Sequence, residues 1–173
     1  MVVYTIGHST RSLEEFLAAL KAHGIGRLVD IRRFPSSRRH PHFGADVLAS
    51  ALAREGIEYL HLPELGGRRR PSRGPSPNLG WRSPGFRAYA DHMLTPEFAS
   101  AAQRLLDLAR EQPTAIMCAE AAYVRCHRLL VADYLTARGI EVRHIVDARR
   151  WQLHRLTPFA RVEGSRVTYP ALL

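Results

Sequence analysis

Apolar and polar positions along the chain follow two rhythms that take turns. "VVYTIG" (residues 2–7) is a short β-branched and aromatic run closing on glycine, and it predicts a first strand. "STRSLEEFLAALKAHGIG" then changes to a helical period. Ser12 and Glu15 form a Ser-x-x-Glu capping box, Phe16, Leu17 and Leu20 make the inward stripe, and Gly24 stops the helix. "RLVDIRRF" predicts a second strand. "ADVLASALAREG" predicts a helix with Val47, Leu48 and Leu52 inside and a stop at Gly56, followed by a strand through "IEYLHL". "TPEFASAAQRLLDLAREQP" has Thr95 as cap and Pro96 in the first helical position. "TAIMCAE" is the most apolar strand, "VRCHRLLVADYLTARG" a helix ending at Gly139, and "VRHIVDA" a further strand. "ARVEGSRVTY" reads as a small terminal hairpin.

Strands alternating with helices predict an α/β fold: an open, mostly parallel sheet with helices on both faces, three-layered and Rossmann-like. No repeat or boundary divides residues 1–173, so a single domain is expected. The rhythm breaks at about residues 65–85, "LGGRRRPSRGPSPNLGWRSPG", which predicts a long, mobile, basic loop.

Composition changes this picture in one respect. The 173 residues carry a formal net charge of +9, and Lys21 is the only lysine, so the excess is arginine. Such a bias favours a polyanionic partner. No apolar run is long enough for a membrane span, no signal-peptide pattern is present, and two cysteines suit a reducing, cytoplasmic setting.

In open parallel sheets, ligands meet the carboxyl ends of the strands. That rule gathers Gly7, His8 and Ser9 from the first strand, Asp30, Arg32 and Arg33 from the second and His61 from the third. It also gathers Cys118 and Glu120 from the apolar strand, and His144 and Asp147 from the next. "CAEAAYVRCHR" leaves three options open. Metal ligation is disfavoured by the Cys118–Cys126 spacing. A thiolate is a second option, with Cys126 expected at a helix start between Arg125 and Arg128, although the loop lacks the glycines of anion-binding thiol loops. A phosphate seat on Arg128 is a third. Asp30, ending an apolar strand, is expected either paired with arginine or raised in pKa; Glu120 holds the equivalent place, and the two carboxylates could divide acid and base roles. The basic clusters "RRFPSSRRHPHF" and "GGRRRPSRG" are interleaved with Phe34, Phe43, Tyr59, Trp81, Phe86 and Tyr89, a mixture suited to phosphates and unstacked bases.

"YTIGHS", "VDIRRFPSS", "YLHLPELGG" and "CAEAAYVRCHR", in that order, resemble the domain-of-unknown-function 488 family from Tyr4 to about Ile145. The chain has "AAYVR" between Glu120 and Cys126, where more polar residues are expected. The resemblance implies DNA base excision, a glycosylase removing a modified adenine such as N6-methyladenine after base flipping, with no cofactor or metal and with DNA rather than a membrane as partner; RNA stays open as a second polyanion. On that reading Asp30 or Glu120 orients water and stabilises the sugar cation, and His8, His61 or His127 donates to the departing purine. Arg32, Arg33, Arg38, Arg39, Arg68, Arg69, Arg70 and Arg128 hold nucleic acid. Tyr4, Phe34, Tyr59, His61, Cys118 and Cys126 are expected around the base. With no lysine among the strand ends, a monofunctional enzyme is expected. A thiol enzyme on a small anionic substrate and a non-catalytic nucleic-acid-binding module are the alternatives.

Overall fold

The computed structural model describes residues 1–71 and 73–171. Six strands form one sheet: β1 (Val2–Gly7), β2 (Arg27–Asp30), β3 (Glu58–His61), β4 (Thr114–Cys118), β5 (Glu141–Ile145) and β6 (Trp151–Leu153), in spatial order β3-β2-β4-β1-β5-β6. The first five are parallel, and β6 returns antiparallel along β5 with Gln152 opposite His144. A separate ribbon pairs β7 (Arg161–Glu163) with β8 (Arg166–Thr168).

Alternation along the strands fills two cores. Ile6, Leu28, Ala115 and Met117 face α1 (Leu13–Ala22) and α2 (Ala45–Arg54) through Phe16, Leu20, Leu48 and Leu52. Val3, Val29, Ile31, Ile116 and Val142 face α3 (Pro84–His92), α4 (Pro96–Glu111) and α5 (Arg128–Ala137). Helices therefore cover both faces, as the alternating pattern predicts. The capping box of Ser12 with Glu15 and the Thr95 cap are both formed.

Several boundaries differ from expectation. β2 stops at Asp30 and β4 at Cys118, short of the predicted runs; past β2, Arg32 folds back onto Asp30. Val47 is exposed; the inward stripe of α2 is Leu48, Ala51 and Leu52. α5 starts at Arg128, after a one-turn 3-10 segment at Tyr123–Arg125, so Cys126 has extended backbone just ahead of the His127 N-cap instead of lying in the first turn. Helix α3 and strand β6 lie outside the elements that the apolar pattern predicts. The long loop is only partly free. Asn78 is fully buried, donates to Asp91, and accepts from the Tyr169 amide, while Trp81 packs among Phe86, Phe159 and Tyr169. The segment expected to be mobile is thus pinned through its second half.

Candidate functional site

β1 and β4 are neighbours, but the helix after β1 lies on one face and the helix after β4 on the other. This is a topological switch point, the usual ligand crevice of such sheets. Here its floor is sealed. The β1–β4 ladder continues past the strands through His8 N to Cys118 O and Ser9 N to Ala119 O, and a Cβ at Gly7 would overlap the Glu120 carbonyl. Glycine is required there by close approach of the two chains.

On the β2 side stands a closed ion pair. Asp30 Oδ1 accepts from the Arg32 amide and Nε, both at 3.0 Å, and Oδ2 from Arg32 Nη2 at 2.7 Å and the Tyr59 hydroxyl at 2.6 Å. Asp30 is 0% exposed. Its lone pairs are committed, which removes it as the water-orienting base. Burial, with Asp30 next in effect, pushes the Tyr59 hydroxyl well above its ordinary pKa and keeps it a donor. Arg32 is buried by the same pair and does not reach out to a phosphate; its Nη1 is left without a partner among the described residues. His61 is held on the Arg32 carbonyl at 2.6 Å.

The centre of the rim belongs to Arg128, which is 1% exposed. Its Nε meets Cys118 Sγ at 2.9 Å, Nη1 donates to Thr5 Oγ1 at 2.9 Å, and Nη2 donates to the carbonyls of Glu120 and Ala121. Arg128 is an internal strut, not the phosphate seat expected of it. Cys126 Sγ lies 2.8 Å from Cys118 Sγ. Burial tends to raise the Cys118 thiol, but the Cys126 hydrogen bond, Arg128 and the neighbouring backbone prevail and bring it down to about 7. Cys126 moves the opposite way, pushed up by burial and by Cys118. The more acidic cysteine is therefore at the strand end, not at the helix start. Cys118 is only 2% exposed, so neither sulfur lines a base pocket.

A directional chain of hydrogen bonds continues inward from Thr5. Asp133 accepts from His154 Nε2 at 2.8 Å, which leaves His154 Nδ1 to accept from His144 Nε2 at 2.8 Å, and His144 Nδ1 to accept from the Thr5 hydroxyl at 2.6 Å. Burial, then His154 and Arg128, hold the His144 pKa at about 2, consistent with a neutral ring. Against that ring lies Tyr123, centroids 3.6 Å apart and planes within 5°. Both rings line a cavity of about 450 Å³ with Arg11, Ala121, Ala122 and Gln152 on its walls. Glu120 precedes Ala121 directly and is exposed.

His8 stacks on Phe43 at 4.5 Å and donates from Nδ1 to the Ser9 carbonyl; burial takes its pKa down to about 4. His127 lies against Gly67, with Nε2 toward the Ile31 carbonyl at 3.3 Å, and burial brings it to about 4 as well. Both are neutral near neutral pH.

The remaining expected residues divide by exposure. Arg33, Arg38, Arg39, Arg68 and Arg70 are exposed on the loops after β2 and β3. The two loops are tied by Arg33 Nη1 donating to the Arg68 carbonyl at 2.7 Å. Arg69 is turned back onto the carbonyls of Gly66 and Pro63. Phe34 is 60% exposed, whereas Phe43 and Tyr89 are core residues and Trp81 and Phe86 share the aromatic cluster. Tyr4 points to the α1 side near His23, below the rim, with Arg143 at its hydroxyl. The six residues expected around a base therefore do not form a pocket. The wall that exists uses Tyr123, His144, Gln152 and Arg11; only His144 had a signal, its place on a strand-end segment.

No curated protein and no solved structure matches the chain. A family model described as Domain of unknown function DUF488 matches residues 12–135, taking in the second, third and fourth motifs though not "YTIGHS". The match spans most of the chain, which belongs to that family.

Proposed function

We propose that the protein is a monofunctional DNA glycosylase that flips a modified adenine, such as N6-methyladenine, and hydrolyses its N-glycosidic bond. The observation that carries this reading is one rim holding three parts in order. Exposed arginines lie over β2 and β3, the exposed Glu120 follows β4, and the cavity opens beside β1 and β5. At about 4.8 Å per strand these parts span about 19 Å from β3 to β5, a width that one duplex covers. Phosphates bind the ridge and one extruded base enters the cavity.

Glu120 then orients water at C1′ and stabilises positive charge on the sugar. The C1′–N bond breaks and its electron pair leaves with the base; water oxygen bonds C1′ and gives one proton to Glu120, and the base takes up one proton from solvent, which Glu120 restores in turn. Arg11 on the cavity wall offsets negative charge on the leaving group. Lys21, the only lysine, pairs with Glu55 at 2.8 Å, away from the rim. No borohydride-trapped DNA adduct is expected.

The test is incubation with duplexes carrying a panel of modified bases and mass spectrometry for freed base. Wild type releases base, and Glu120→Gln loses about 10²-fold or more in rate. Salt-dependent binding with no release from any duplex would replace this reading with a binding module. The lowered pKa of Cys118 favours the thiol-enzyme reading, but its sulfur is enclosed by Arg128 and Cys126. Full loss of turnover in a folded Cys118→Ala, Cys126→Ala protein, with Glu120→Gln active, would restore it.

A further inference from the structure

We infer that the cavity between the ends of β1, β4 and β5 is a purine seat in which Tyr123 supplies the stacking face and Gln152 reads the base edge. The inference deepens the base-excision reading and rests on it.

Its volume of about 450 Å³ lies within the 300–1,000 Å³ range usual for small-molecule sites. Its aromatic wall is fixed in orientation. His144 is hydrogen-bonded at both ring nitrogens, to Thr5 and to His154, so it cannot rotate to follow a ligand. Tyr123 lies flat on it, on a short turn in a glycine-free loop. The pair is a preformed platform for a planar heteroaromatic ring, and stacking on such platforms is strong for every base.

Edge recognition falls to Gln152. It stands opposite His144 in the β5–β6 ladder and lines the cavity, and its side chain has no hydrogen-bond partner among the described residues. A carboxamide offers one donor and one acceptor side by side, the complement of the N6 and N7 edge of adenine. Arg11 is immobilised by Nε on the Gly7 carbonyl and Nη2 on the Val146 carbonyl, which fixes a positive charge on the same wall. A neutral His144 adds no second cation against the base.

The experiment is calorimetric titration of the whole protein with free adenine, N6-methyladenine, hypoxanthine and cytosine, alongside base release from duplexes. Adenine-type bases are expected to bind, with cytosine at least tenfold weaker. Tyr123→Ala should weaken binding about tenfold or more, and Tyr123→Phe should restore it. Gln152→Ala, on an exposed edge strand, should keep the fold and abolish discrimination of adenine from hypoxanthine. Binding unchanged in both alanine variants, equal binding of cytosine, or no binding of any base would overturn the seat. If wild type frees base from a duplex while Tyr123→Ala and Gln152→Ala do so equally well, the seat is wrong and base excision stands. If adenine binds and both variants lose it but no duplex releases base, the seat stands and base excision fails.

Discussion

Arg128 Nε and Cys118 Sγ lie 2.9 Å apart in the interior, and Cys126 Sγ approaches the same sulfur from 2.8 Å. This geometry stabilises a thiolate at Cys118 and keeps the proton on Cys126. The thiolate absorbance of the folded protein should titrate with a midpoint near 7 and vanish in Cys118→Ser. The folded value is below the unfolded one of about 8.5, so the stabilisation is complete above the unfolded pKa and is lost as pH falls through 7. A midpoint at the ordinary thiol value would sink the assignment.

Arg128 also joins four polar partners in the interior: Thr5, Cys118 and the carbonyls of Glu120 and Ala121. Arg128→Met should lower unfolding free energy by about 3–5 kcal/mol, because it leaves buried acceptors unpaired. Arg150→Ala, which removes an exposed pair with Asp147, should change it by less than about 1 kcal/mol. Urea denaturation measures both. Equal losses would show that the internal strut is not a stability element.

Three histidines set an acid limit. His8 and His127 have pKa values brought to about 4, and His144 to about 2, in each case chiefly by burial. The folded values are below the unfolded value of about 6.5, so the unfolded chain takes up protons first as pH falls. Stability is therefore full above about pH 6.5 and declines below it, by up to about 1.4 kcal/mol per pH unit for each ring. Melting temperature measured from pH 7 to pH 4.5 should fall continuously. His8→Phe, placed against Phe43, should flatten the curve, and an unchanged slope would remove His8 from the account.

DNA affinity should depend on which arginines stay exposed rather than on which the sequence clusters. Alanine at Arg38, Arg39, Arg68 or Arg70 should each reduce the slope of log affinity against log salt by about 1. Arg104 on α4 is exposed but off the rim and should leave the slope unchanged. If Arg104→Ala weakens binding as much as Arg38→Ala does, the charge acts diffusely and the ridge is not the contact surface.

What could be read from the sequence follows from the range of the interactions. The capping box at Ser12, the Thr95–Pro96 start and the apolar strands are local, and each is where the pattern places it. Helix α3 was hidden because Gly85 and the surrounding Pro, Ser and Arg residues mask the Ser83–Pro84 start. Strand β6 has three exposed residues and no alternation to detect. The rim was legible because parallel topology alone brings strand ends together. Its internal pairing was not. Nothing local announces that Thr5 bonds His144 or that Tyr123 stacks on it. Asp30 shows the same limit at short range: its position at a strand end was readable, but its saturation by Arg32 and Tyr59 required β3 beside β2.

Phe34 supplies the last prediction. An aromatic side chain 60% exposed between exposed arginines has no packing role, and its loss should change stability by no more than about 0.5 kcal/mol. Its loop is nevertheless held, by Ser36 N on the Phe34 carbonyl and Ala45 N on the Pro35 carbonyl, with the Arg33 guanidinium 5.6 Å from the ring centroid. A held apolar group on the arginine ridge proposed to bind phosphates is suited to enter a base stack and fill the gap left by an extruded nucleotide. Wild type should therefore prefer a duplex with an abasic-site analogue over an intact duplex. Phe34→Ala should lose about tenfold or more of that preference and keep the salt slope, and Phe34→Leu should retain most of it. Equal affinity of wild type and Phe34→Ala for the abasic duplex would mean that the ring stays outside the stack.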